Sequence, residues 1–234
     1  RRHGMKSSAD GAAPPVTATH LARLLQFGDS MLPIGGFSFS GGLESAIQKG
    51  VVTDVASLGE FTRTAVEQAA RGDGIAIVCA HRAALAGDIG ELLRVDCRVH
   101  ARKLSGETRA MSTKMGRKFA ELGAHVTRSA TMQDWRERVL AGATPGCYPV
   151  ALAIHFAAQG LSARDAFVVH QYGVAATILG AALRLMRISH VDTQSLLFQL
   201  NADVDTPYVT AAAATLDDMA GFAPLADILA AVHV

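Results

Sequence analysis

The stretch LLQFGDSMLPIGGFSFSGGLESAIQKGVV, from Leu24 to Val52, decides how the rest of the chain is read. An apolar helix should end at Gly28. A turn built on Pro33, Gly35 and Gly36 should follow, because proline pre-sets φ and glycine tolerates positive φ. Phe37, Phe39 and Ser40 then lead through Gly41 and Gly42 to Leu43 and Glu44, where a new helix should begin. Glycines ahead of a helix can let backbone N–H groups approach a phosphate. A Walker-type loop also needs a lysine after its last glycine, and none follows Gly41 or Gly42. The glycines therefore read as shaping a tight turn or helix crossing. Phe37 and Phe39 read as core residues or as a protein-docking knob.

Outward from this turn the pattern is helical. Val55, Leu58, Phe61, Ala65 and Val66 form an apolar stripe, mostly at three- and four-residue steps. Asp73 reads as the cap of the next helix, and Ile89 to Leu104 gives another. Glu107 to Leu122 follows, with Gly123 as its expected stop. Trp135, Val139 and Leu140 mark a short helix closed by Gly142 and Pro145. The longest helix is expected from about Ala163 to Met186, opened by a capping box of Ser162 and Asp165. It is apolar on both sides from Tyr172 to Leu183, so it should be central, with neighbours on several faces. Asp205 and Pro207 start another helix, and Pro224 the last. No segment has a convincing period of two. The expected fold is all-α, a single-domain bundle of roughly ten helices over residues 19–234, after a flexible tail of residues 1–18.

Composition excludes several classes. At 234 residues the chain can bury a real core within one domain. A net charge of +1 gives no bulk electrostatic case for nucleic acid or anionic lipid. Tyr172 to Leu183 is too short an apolar run to span a bilayer. The first residues carry no apolar run after their charges, so no secretory signal is expected. Three widely spaced cysteines, Cys79, Cys97 and Cys147, suit a reduced, cytoplasmic protein.

Candidate chemistry is sparse. Cys97 and His100 share a helix face, but neither they nor Cys79 and His81 complete a four-ligand metal set. No metal and no cofactor is expected. The basic run from Arg98 to Lys118 lacks aromatic rings for base stacking. It reads as a solvated face, with an acidic protein partner as the alternative. Glu44, Glu107 and Asp192 are not paired at a spacing that implies acid–base work. His190, Asp192 and Gln194 are polar groups at a helix junction. They read as caps or as the lining of a partner or dimer channel. No nucleophile context is present, so the chain does not read as an enzyme.

Four segments, taken in order, resemble the UreF family. The first is the Leu24–Gly50 stretch, similar to LP(I/V)GxFxxSxGLE. The second holds Glu107, Arg109, Met115 and Gly116. The third is Tyr148-Pro149-Val150 followed by a long apolar helix. The fourth is SHVDTQSLL from Ser189 to Leu197, where Gln194 matches a family glutamine. The C-terminal APLADILAAVH fits too, with His233 in the place of a common histidine. Phe39 stands where a tyrosine is usual, and Cys147 where a histidine is.

The resemblance implies an all-helical, usually dimeric assembly factor. It would bridge a UreD/UreH-type protein to the GTPase UreG on apo-urease, where nickel is installed. Pro33, Gly36, Phe37, Phe39, Ser40, Glu44, Arg109, His190 and Gln194 are the residues expected to serve partner binding. Two other classes stay open. One is a GTPase-activating regulator, with Arg109 or Arg187 stabilising phosphate charge. The other is a small helical enzyme that takes a phosphorylated ligand at the glycine-rich loop.

Overall fold

The computed structural model describes residues 17–36 and 39–221. The Pro224 helix, His233, Phe37 and the first sixteen residues of the expected tail lie outside the described residues. No strand occurs among the described residues, and the architecture is all-α.

Helix α1 (Ala18–Gly28) opens with Thr17, whose hydroxyl accepts from His20 N. The short α2 (Leu43–Gln48) follows the glycine turn. Helix α3 (Val55–Ala69) begins with an Asp54–Ser57 capping box. It runs without a break through a π-helical turn, Ala70–Gly74, into α4 (Ile75–Ala86). Asp73 is therefore not a cap. It sits inside the π turn, where its side chain serves a buried network described below. The amide of Gln171, in the orientation that satisfies both its ends, reaches Val66 O and Ala70 N beside this turn. A π turn frees backbone groups from the regular ladder, and a glutamine answers them here.

Helices α5 (Ile89–Arg102), α6 (Gly106–Thr127) and α7 (Ala130–Leu140) follow. Gly123 does not stop α6, which continues to Thr127. Its missing side chain instead lets α6 approach the ring of His155, which a Cβ there would meet at 3.0 Å. Helix α8 (Tyr148–Ala158) carries Pro149 in its first turn and is buried from Pro149 to Phe156. Helices α9 (Ala163–Leu185), α10 (His190–Leu200) and α11 (Asp205–Ala213) follow among the described residues, with a 3-10 turn at Leu216–Asp218. Ser162 and Asp165 form the expected capping box on α9.

Two apolar cores result among the described residues. The larger is built on α4, α5, α6, α7 and α8, and includes Ile77, Leu92, Phe119, Trp135, Leu152 and Phe156. The smaller joins α2, α3, α9 and α10 through Leu43, Leu58, Ile178 and Leu197. Helix α9 bridges them: Phe167 and Val169 face the first, and Ala175 to Ala182 the second. It is long and apolar enough to cross a membrane by composition, yet more than half of its most apolar window is buried against other helices. Within the larger core, His155 is fully buried with both ring nitrogens unpartnered, 4.1 Å from the ring of Phe27 and 5.3 Å from that of Phe119. Burial pushes its pKa down to about 4, so the ring is neutral.

Candidate partner-binding surface

The loop between α1 and α2 is anchored at both ends on α9 and in the middle on α6. At Gly28 a Cβ would meet Val169, and at Gly41 it would meet Ile178 at 3.1 Å. Gly36 lies over Met115 of α6. Gly41 and Gly42 take φ of 62° and 84°, a region that suits glycine. Asp29 Oδ1 accepts from Met31 N at 2.8 Å, and Ile34 is buried as the inward anchor of the loop. The turn then closes through Phe39 N to Gly36 O and Leu43 N to Ser40 O. With the loop pinned, Pro33 is exposed, and Gly36, Phe39, Ser40 and Glu44 are half-buried. Met31 is among the most exposed large apolar side chains described, at 78%. Glu44 falls in the first turn of α2, where its charge suits the helix dipole.

Arg109 is placed differently from the rest of the predicted set. Its Nη1 donates to the carbonyl oxygens of Lys103 and Leu104, the two residues that follow α5. It holds the α5–α6 turn. Lys103 from that same turn reaches Asp73 at 2.5 Å, and His170 of α9 lies 3.6 Å from the same carboxylate oxygen. Burial alone would raise the Asp73 pKa. The charge of Lys103 and the imidazole of His170 outweigh it and hold the carboxyl well below the usual range. The ring of Tyr148 stacks on His170, which ties α8 into this junction.

His190 and Gln194 are exposed on α10, which packs on α9 and α3. They do not join the α1–α2 loop through any contact described. Ser189 is the N-cap of α10 and Asp192 its capping-box partner: the Asp192 carboxylate accepts from Ser189 N and Oγ, and Ser189 Oγ accepts from Asp192 N. Exposed Val191 and Phe198 lie on the same helix, with Phe198 80% exposed.

The most demanding polar site was not visible in the sequence. The fully buried Asp96 carboxylate accepts from Thr144 Oγ1 at 2.6 Å, Gly146 N at 2.7 Å and Cys147 N at 2.7 Å. It fixes the loop that launches α8. Its partners lie about fifty residues away, so no local spacing signals it. Burial, with Asp96 nearby, pushes the Cys147 thiol up, and burial also raises that of Cys79, so neither is activated as a nucleophile. Among the described residues, no group of three His, Cys, Asp or Glu side chains is placed to hold a metal ion.

The strong polar constellations found here thus hold helices together, and the exposed features are apolar and polar side chains on a rigid all-α frame. A family model for UreF matches residues 52–201. The chain is 56% identical over 214 residues to the urease accessory protein UreF 2 of Brucella canis, covering 92% of this chain and 88% of the relative. It is 49% identical over 219 residues to the urease accessory protein UreF of Yersinia enterocolitica, covering 94% and 96%. Urease accessory protein UreF 1 of Brucella melitensis is 55% identical over 214 residues, covering 92% and 89%. The chain belongs to the UreF family.

Proposed function

We propose that this chain is a cytoplasmic urease accessory protein. It acts as a non-enzymatic scaffold that joins a UreD/UreH-type protein and a UreG-type GTPase on apo-urease, so that nickel can be inserted. The observation that carries this reading is the near full-length similarity to urease accessory proteins. The α1–α2 loop is the first docking element: its described residues lie against α9 and α6, with Pro33 exposed and Phe39, Ser40 and Glu44 half-buried. His190 and Gln194 on α10 form a second patch, flanked by Val191 and Phe198, that suits a homodimer or partner contact. Arg109 serves by shaping the α5–α6 turn. With its guanidinium already on two carbonyls, a role as a phosphate-stabilising arginine is disfavoured.

The test is co-purification. The tagged chain, expressed with a UreD/UreH-type protein and a UreG-type GTPase, should elute with both from gel filtration. Phe39→Asp should cut partner recovery about tenfold, because an apolar contact worth roughly 1.5–3 kcal/mol when fully buried is replaced by a charge. Should that variant unfold, Pro33→Glu and His190→Ala with Gln194→Ala probe the same two patches from exposed positions. Separate elution of all three wild-type proteins would sink the proposal.

A further inference from the structure

The surface between α6 and α7 carries a second recognition feature. Lys114, Arg117, Lys118 and Glu121 sit three or four residues apart on one face of α6 and line a groove. Arg136 and Leu140 of α7 form its other wall. Four cations therefore meet a single carboxylate in a chain whose net charge is only +1. Lys118 shares that carboxylate, with Nζ 3.1 Å from Glu121. Lys114, Arg117 and Arg136 have no ion pair among the described residues. Several other surface arginines are paired: Arg94 with Glu91, Arg98 with Asp217, Arg138 with Asp134 and Arg164 with Asp205.

The groove also has an apolar end. Leu140 is 67% exposed at the last residue of α7, against the helix face that holds the cations. No aromatic ring lines it, so stacked bases would gain nothing there. One exposed leucine is too little apolar area to seat a surface in a bilayer. Its ridge is rigid, because α6 and α7 pack on the fully buried Phe119, Met132 and Trp135.

We propose that the α6–α7 groove docks an acidic segment of a partner protein, with carboxylates on Lys114, Arg117 and Arg136 and one apolar side chain on Leu140. The charge complementarity selects the segment and speeds its approach, and the leucine fixes its register. This surface is distinct from the α1–α2 loop and from α10, and its test does not depend on the urease reading.

The probe is a fluorescein-labelled peptide of aspartate and glutamate with one central leucine, followed by fluorescence anisotropy on the full chain. Binding should weaken at least tenfold in Lys114→Gln/Arg117→Gln, two exposed positions whose change leaves the fold intact by circular dichroism. It should weaken further with Arg136→Gln, fall severalfold when the peptide leucine becomes serine, and fall steeply with salt. Lys49→Gln/Arg63→Gln, an equal loss of charge at exposed positions elsewhere, should change nothing. The proposal is overturned if the peptide fails to bind, or if it binds the double variant as well as the wild type. It is also overturned if a single-stranded RNA oligomer or phosphatidylserine vesicles bind more tightly than the peptide and lose that binding in the same variant.

Discussion

Gly116→Ala is expected to destabilise the protein by about 3 kcal/mol or to prevent folding, since overpacking at a rigid contact lies at or beyond the upper end of the usual range. A Cβ on Gly116 would lie 2.1 Å from the carbonyl oxygen of Gly146 and 2.6 Å from the backbone of Cys147 and Tyr148. All three contacts are main chain, so no rotamer change relieves them. The opposing loop cannot retreat either, because Asp96 grips the N–H groups of Gly146 and Cys147. Replacing a mid-helix glycine normally gains roughly 1 kcal/mol of helix propensity, which offsets only part of the clash. Gly173→Ala on α9 is the control: nothing lies within 4 Å of its Cβ position, so that variant should be as stable as the wild type or more so. Urea denaturation of both separates close approach from helix propensity.

His155 should make stability fall with acid in a defined window. Its folded pKa of about 4 lies below the ordinary value of 6.5. Above pH 6.5 the ring is neutral in both states and adds no pH dependence. Between pH 6.5 and 4 the unfolded chain takes up a proton that the folded chain refuses, so stability falls as pH drops, by about 3 kcal/mol over the window. Asp73 acts lower: its depressed carboxyl contributes stability above the ordinary carboxylate range that is lost only as pH falls through and below 3.8. His81, also lowered by burial, titrates in the same direction as His155, but its Nε2–H donates to Leu161 O. The comparison with His155→Leu isolates the caged ring. That variant should lose most of the slope between pH 6.5 and 4, and an unchanged slope would contradict this account.

Much of the frame was legible because its signals are local. Ser162 and Asp165 announce α9 three residues apart, and Pro33, Gly41 and Gly42 announce the turn before α2. What was misread had signals of two meanings. Gly123 looks like a helix stop, but it is a contact glycine that admits the ring of His155. Asp73 looks like a cap, but α3 and α4 are joined by a π turn and need none. Helix α8 has no amphipathic period because it is buried on every side. The Asp96 site and the Lys103–Asp73–His170 junction are assembled only by tertiary packing. Of the candidate surface, the α1–α2 loop could be named from its glycines and proline. That Arg109 commits its guanidinium to carbonyls of the α5–α6 turn could not.

The central claim is tested most directly in cells that carry urease and its other maturation proteins but lack their own UreF-family member. Urease would be purified from these cells with and without this chain, and its nickel content and activity measured. The account predicts apo, inactive urease without the chain and nickel-loaded, active urease with it. Apo-urease that persists beside well-folded chain bound to its partners, or full nickel loading in its absence, would contradict it.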